Sequence, residues 1–504
     1  MTVARDGEPG GTTATADTFD SLDPATGDVV GTHPVLDADA VTAVVARART
    51  AADTWQTLGF TGRRARLDRW RAEIGSRASE LADLVLVETG KPHRDGMLEI
   101  GFALDHLAWA ARRAPRVLGR RSVAPGALLP HFAATVEYLP YGVVGVIGPW
   151  NFPVYTPMGS IAYALSAGNT VVFKPSEHSP GVGRWLVDAF AAAVPDCPDA
   201  LCVVTGLGDT GGALCAVGVD KVAFTGSPGT ARKVLSACAD ALVPAVIEGG
   251  GKDALVVADD ADVAAAADAA VWGGMFNAGQ MCTGIERVYV HEQVYDHFVA
   301  ELTRRARELR PGTDAGSSYG PMTLPGQLDV VRRHISDALN RGGRAVVGGA
   351  DAVGERTVAP TVLLDVPEDS DAVREETFGP TLTVTKVADV DEAVDLVNAS
   401  AYGLGSAVFS RQHGDRIAGR LRVGMCSVNS VIGFAAMPSV PFGGRGASGF
   451  GRVHGPDGLR EFAYPRSVAR QRFALPVAVQ SFRRTERTDR LLARVIRLRH
   501  GRRR

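Results

Sequence analysis

The chain is poor in cysteine, lacks any long apolar run and has almost no net charge, and each shortage removes a class of protein. Six cysteines in 504 residues, at 197, 202, 215, 238, 282 and 426, form no C-x-x-C pair. That excludes a disulfide framework and the common zinc and redox motifs, and no metal site is expected. No stretch of about 18 apolar residues reads as a membrane span. The most apolar stretch, 263–276, is Ala-rich and broken by Asp268, as in a buried helix. A formal charge of −2 gives no global field for nucleic acid. Residues 1–18 lack the apolar core of a secretory signal and read as a mobile leader. A reducing, cytoplasmic location is therefore expected. The 58 glycines follow no strict period and no short repeat occurs, which excludes fibres and solenoids.

What is present reads as an ordinary globular chain, 45% hydrophobic and 22% charged, long enough for several domains. Helical spacing runs over 37–55, over 61–89 until Gly90-Lys91-Pro92, and over 99–114. The middle alternates apolar strands at 143–147, 170–173, 201–204, 221–224, 245–247 and 254–257 with helices such as 181–193 and 228–241. Such alternation predicts a parallel sheet covered on both faces, binding nucleotides at its carboxyl ends. From about 258 a second set follows, with helices at 261–276, 293–308 and 391–398 and strands at 286–290, 344–347, 381–386, 405–409 and 424–429. The last segment, 481–504, holds ten arginines against Glu486 and Asp489, about +8, so the remainder carries about −10.

Several segments could carry chemistry. Gly206-Leu-Gly208-Asp-Thr-Gly211 fits a phosphate cradle or a tight strand-to-helix turn. Phe224-Thr225-Gly226-Ser227 ends a strand and opens a helix, as an anion site or as a serine cap. Lys174-Pro175-Ser176-Glu177 leaves a cation and an anion at a strand end, for a ribose or as a solvated pair. Cys282, between Gly279 and Gly284, fits the pattern of a buried core cysteine poorly, unlike Cys202, Cys215, Cys238 and Cys426. As a nucleophile it needs help to lose its proton. Glu248 ends a strand and precedes Gly249-Gly250-Gly251; burial there would raise its pKa towards the range of a general base.

Together these segments resemble the aldehyde dehydrogenase superfamily over roughly residues 20–475. The landmarks stand in the family's order: Gly148-Pro-Trp-Asn151-Phe-Pro, Phe173-Lys174-Pro-Ser-Glu177, Phe224-Thr-Gly-Ser227, Glu248-Gly-Gly-Gly-Lys, Gly279-Gln-Met-Cys282, Glu375-Glu376-Thr-Phe378-Gly-Pro and Pro441-Phe-Gly-Gly. The resemblance implies an α/β fold with a Rossmann-type cofactor domain (19–121 and 141–248), an α/β catalytic domain (249–465) and a small β oligomerisation flap (122–140 and 466–480), with 481–504 as a basic tail. It implies a homodimer or homotetramer. Cys282 would attack an aldehyde, Asn151 and the Cys282 amide would hold the oxyanion, and Glu248 would activate the hydrolytic water. NAD, with NADP possible, would meet Trp150, Lys174, Glu177, Gly208, Phe224, Gly226, Ser227, Gly250, Glu376 and Phe378. Glu177 would repel a 2′-phosphate and so favours NAD.

Three positions depart from the family pattern: Gly249 for Leu, expected to loosen the base, Ala231 for Gly at the helix entrance, and Ser160 for Lys. The substrate channel is expected from Phe152, Tyr155, Thr156, Gly159, Phe276 and Phe434, with Gly159 leaving room for bulk. No cation lies between Val154 and Leu165, where succinic semialdehyde enzymes of the superfamily commonly place Arg. A neutral aliphatic or aromatic aldehyde is expected. Alternatives are a succinic-semialdehyde-type enzyme, a coenzyme-A-acylating one and a non-catalytic dinucleotide-binding scaffold. The pattern of 489–498, arginines among Leu491, Leu492, Val495, Ile496 and Leu498, fits either a helix for an anionic membrane surface or a helix packed on its own subunit. Nucleic acid is not an expected partner.

Overall fold

A computed structural model describes residues 14–15, 17–126, 128–475 and 480–501. It forms two compact units, 1–117 with 140–464, and 118–139 with 465–504.

The first unit holds two largely parallel sheets. In the first, the strands run in the order Gly449–Phe450, Ala245–Gly249, Lys221–Gly226, Val143–Ile147, Thr170–Lys174 and Leu201–Val203, only Gly449–Phe450 being antiparallel. The central strands are buried along nearly their whole length, as continuous apolar runs require when helices cover both faces. Val41, Val44, Val45 and Ala48 from the helix Ala38–Thr57 pack one face against Val143, Val172 and Val222. The second sheet runs Arg344–Val347, Thr361–Leu364, Thr381–Val387, Ile285–His291, Asp253–Val257, Ser406–Phe409 and Ser427–Val428, with only the Arg344–Val347 edge antiparallel. Its core joins Leu255, Val288 and Val384 to Phe298, Leu302, Val331 and Ile335. An antiparallel three-stranded sheet, Ala14–Thr15, Thr18–Leu22 and Val29–Pro34, precedes both.

The second unit contains the sheet Ala463–Gln471, Phe132–Pro140, Arg121–Val123 and the helix Glu486–His500. No described helix is long and apolar enough to cross a membrane.

Several expectations change. Of the leader 1–18, residues 1–13 and 16 lie outside the described residues, while Ala14–Thr15 is paired with Thr18–Leu22. The helical run 61–89 is two helices, Gly59–Ser76 and Ala78–Thr89. Arg77, at φ −117°, leaves the helical region and its guanidinium reaches Glu73 on one helix and Glu80 on the other. The helix Pro325–Asn340 has no counterpart in the sequence reading. Pro325-Gly326 looks like a turn, but proline at a helix start lacks only an amide that has no partner there. The strand expected at 424–429 shrinks to Ser427–Val428. Phe473 sits in a bend after the strand Ala463–Gln471, and residues 476–479 lie outside the described residues.

Candidate active site

The candidate residues converge at the carboxyl ends of the first sheet. Glu248 lies one residue before the end of Ala245–Gly249 and is flanked in register by Thr225 on the parallel side and Gly449 on the antiparallel side. Cys282 follows a tight turn in which Asn277, Ala278 and Gly279 all have positive φ (54°, 57° and 71°). Left-handed backbone at two non-glycine residues is strain of the kind that clusters at functional sites. The turn brings the Cys282 Sγ to Glu248, donating to Oε1 at 3.3 Å. Thr225 Oγ1 donates to the other carboxylate oxygen at 3.3 Å.

No cation pairs with Glu248 among the described residues. Burial therefore raises its pKa to about 7, against the lowering effect of its bonds from Cys282 and Thr225. Burial, with Glu248 next in weight, pushes the Cys282 thiol well above its ordinary value. At rest the thiol is protonated and the carboxylate beside it is poised to take that proton.

Asn151 is held more firmly. One Nδ2 proton goes to the Gln280 carbonyl at 3.0 Å, leaving the second free to donate. Its backbone carbonyl accepts from Lys91 Nζ at 2.8 Å and Asn277 Nδ2 at 3.1 Å. Lys91 is fully buried, ion-paired to Glu99 and 3.8 Å from the centroid of Phe152. Glu99 also accepts from the Val154 and Tyr155 amides at 2.8 and 3.0 Å, which fixes the entrance of the helix Tyr155–Ala167.

The three glycines after Glu248 each admit a close neighbour. A Cβ at Gly249 would lie 2.7 Å from the Ala447 carbonyl, at Gly250 2.0 Å from the Glu376 carboxylate, and at Gly251 2.1 Å from the Cys282 carbonyl. Gly249 thus lets the Ala447 backbone close over the strand. Gly251 N donates to Glu376 Oε1 at 2.9 Å. Burial, then Glu286, raises the Glu376 pKa to about 8. Phe378, at φ 50°, sets its ring edge-on to Trp150 with centroids 5.6 Å apart.

The donor set at the sheet end fits a dinucleotide. The strand order reverses between Val143–Ile147 and Lys221–Gly226, the switch point where such sheets bind these ligands. Lys174 Nζ and Glu177 are 3.8 Å apart, a cation–carboxylate pair suited to ribose hydroxyls. The Lys174 stem lies over Gly211, and a Cβ at Gly208 would meet nothing within 4 Å, so that helix start is open. Ser227 caps the helix Pro228–Asp240 by accepting from Thr230 N at 3.2 Å. Phe224 packs in the sheet core, and Gly226 makes room for its ring, which a Cβ would approach to 2.7 Å. Ala231 also lies in that core.

A pocket of about 160 Å³ opens onto Cys282 and Glu248. Phe152, Tyr155, Thr156 and Phe276 line it, as expected, and Phe152 stacks on Phe276 at 6.3 Å. Gly159 and Phe434 do not line it. The space above Gly159 is filled by the His454 ring, whose Nε2 would lie 2.4 Å from an added Cβ, so the glycine accommodates a side chain of the protein and leaves no room for bulky substrate. Phe434 is buried against Leu404, Met425 and Phe442. The lining includes Asp95, Glu99 and Glu248 but no Lys or Arg.

Sequence reasoning missed the supporting groups. Besides Thr225, Lys91 and Glu99 these are Lys252 and Glu286, a buried ion pair whose carboxylate also accepts from the Thr377 and Phe378 amides. His106 and His454 lie 3.9 Å apart between ring centroids, both kept neutral chiefly by burial. Lys91 and Lys252 each follow glycine directly, the one local signal available. One group of possible metal ligands occurs among the described residues, His334, Asp371 and Glu375, and Arg333 already pairs with both carboxylates.

With this geometry in hand, comparison with known proteins is direct. The profile of the aldehyde dehydrogenase family matches residues 12–468. The chain is similar to 4,4'-diapolycopene aldehyde oxidase of a Methylomonas species, 38% identical with 91% of this chain and 87% of that protein covered. It is also similar to a putative NADP(+) succinate-semialdehyde dehydrogenase of Mycobacterium ulcerans, 35% identical over 89% and 87% of the two chains. Among solved structures, an NAD-dependent aldehyde dehydrogenase from Sinorhizobium meliloti superposes with a TM-score of 0.87 at 33% identity, covering 93% and 94%.

Proposed function

Since the chain belongs to the aldehyde dehydrogenase family and is an NAD(P)-dependent oxidoreductase of aldehydes, we propose that it works through Cys282, Glu248 and Asn151. The observation that carries this is the 3.3 Å contact between Cys282 Sγ and an unpaired, buried Glu248 inside the pocket.

Glu248 takes the thiol proton, and the Cys282 sulfur adds to the aldehyde carbon. The oxygen becomes an oxyanion, and the free Nδ2 proton of Asn151 and the Cys282 amide donate to it. Each such donor is worth about 3–4 kcal/mol. Bound NAD or NADP supplies the hydride acceptor that turns the thiohemiacetal into a thioester. Glu248, relieved of its proton, then takes one from water, whose oxygen attacks the thioester and releases the acid and the thiol. Lys174 and Glu177 would hold the adenosine ribose, the helix start at Ser227 the pyrophosphate, and Glu376 the nicotinamide ribose, with Trp150 and Phe378 lining the nicotinamide site. Gly208, Phe224, Gly226 and Gly250 shape the floor. Glu177 disfavours a 2′-phosphate, so NAD is the preferred cofactor.

The substrate is a neutral, apolar aldehyde. The Methylomonas relative is named for a diapolycopene aldehyde and the M. ulcerans relative for succinate semialdehyde. A lining without Lys or Arg supports the first kind, because a buried carboxylate without a cation is costly. The cofactor part comprises 19–121 and 141–248 and the catalytic part 249–465. Segments 122–140 and 466–480 join copies into a homodimer or homotetramer, and six free cysteines suit the cytoplasm.

Mixing the protein with an aldehyde series and NAD or NADP, alongside Cys282→Ser and Glu248→Gln, tests this reading. Turnover lost in Cys282→Ser, and in Glu248→Gln both a slowed burst and a lower steady-state rate, are expected. Full turnover in Cys282→Ser contradicts it, and a lower KM for succinic semialdehyde than for an apolar aldehyde contradicts the substrate class.

A further inference from the structure

The arginine-rich end of the chain forms one regular element, the helix Glu486–His500. Thr485 caps it, accepting from Thr488 N at 3.4 Å, and Arg497, Arg499 and His500 sit in the last turn, where the helix dipole favours cations. At about 100° per residue, Leu491, Leu492, Val495, Ile496 and Leu498 share an arc of roughly 160°. Towards the edges of the arc Leu491, Ile496 and Leu498 are 50%, 47% and 62% exposed, at its middle Leu492 and Val495 are half-buried and Thr488 is buried, and Phe482 just before the helix is fully exposed. Arg487, Arg490, Arg494 and Arg497 cluster on the other side, while Thr488 and Arg499 fall within the apolar arc. Arg487, Arg494, Arg497 and Arg499 have no ion-pair partner among the described residues, whereas Arg490 reaches Glu486 at 3.8 Å.

We propose that this helix is an interfacial element that seats the protein on an anionic lipid surface. The apolar arc enters the boundary between headgroups and acyl chains, and the flanking arginines bind the lipid phosphates. Charge decides among the occupants such a face could take. A second copy would bring the same arginines against the first set, and like charges repel. A nucleic acid would engage the arginines but leave the apolar arc in water. An anionic bilayer satisfies both faces at once. The charge is also segregated, about +8 in 481–504 against about −10 in the rest. A surface that attracts this segment therefore repels the remainder. This inference stands apart from the reading of Cys282, because lipid binding is measured without turnover.

The test is co-sedimentation of the full chain with vesicles of phosphatidylcholine alone or mixed with phosphatidylglycerol. Binding to the mixed vesicles, weakened by salt and absent from phosphatidylcholine, is expected. Replacing Arg490, Arg494 and Arg497 by Gln weakens binding by roughly 100-fold, about fivefold per arginine. Leu491→Ser with Ile496→Ser leaves the charge untouched and lowers binding at least tenfold, by about the transfer cost of two aliphatic side chains. Aldehyde oxidation by each variant in lipid-free buffer, unchanged, shows that it is folded. Equal sedimentation with both vesicle types overturns the proposal. So does binding indifferent to the two serines, which would be charge adhesion alone. A lipid-free assembly that the serines dissolve assigns the face to a second copy and overturns it too.

Discussion

Two buried carboxylates border the same pocket and are treated in opposite ways. Glu99 is matched by Lys91 and by two backbone amides, so its charge is spent on fixing the Asn151–Tyr155 segment. Among the described residues Glu248 has only a thiol and a threonine hydroxyl, and its pKa is raised to about 7. Paired charge makes a support, and unpaired charge makes a reactive group. The same division recurs one step away, where Lys252 and Glu286 fix the Thr377–Phe378 backbone while Glu376, ion-paired to no cation among the described residues, is pushed up to about 8.

The strongest way to break this contrast is Lys91→Met. It leaves Glu99 buried without its cation and should lower unfolding stability by about 3–5 kcal/mol, read by denaturant titration. Glu248→Gln should do the reverse for stability while removing turnover. Steady-state rate should fall roughly 1000-fold, within the range for a lost general base. Because the folded pKa of Glu248 lies above its ordinary value, the wild type loses stability as pH rises from about 4.5 to about 7. The variant should therefore be more stable than the wild type by about 3 kcal/mol at pH 8 and equal to it at pH 4. Asn151→Ala should cost about 100- to 1000-fold in kcat with little change in KM, since its donor is used in the transition state. The smallest effect is expected from Gly159→Ala, about 1–3 kcal/mol of stability, because the new Cβ must displace the His454 ring. If that variant instead shrinks the range of accepted aldehydes without loss of stability, Gly159 faces substrate after all.

The strands of the first sheet were legible because both of their faces are buried, and burial on both faces writes an apolar run into the sequence. Cys282, Glu248 and Asn151 were legible as motifs, and they converge. The supporting pairs were not. Lys91 and Glu99 lie eight residues apart, and only the tertiary fold makes both inaccessible to water. Gly159 misled for a related reason: a missing side chain signals space, but the chain's own His454, almost three hundred residues later, occupies it. Gly249 illustrates the converse, since the close approach of Ala447 explains a glycine that the sequence offered only as a departure.

The central claim is that Glu248 governs the Cys282 proton. The most direct test is the pH dependence of Cys282 alkylation by iodoacetamide, resolved by peptide mass from the other five cysteines, in the wild type and in Glu248→Gln. The account predicts a rise in rate through about pH 7 in the wild type, following the Glu248 titration, and no step there in the variant. Identical profiles in the two proteins would contradict it.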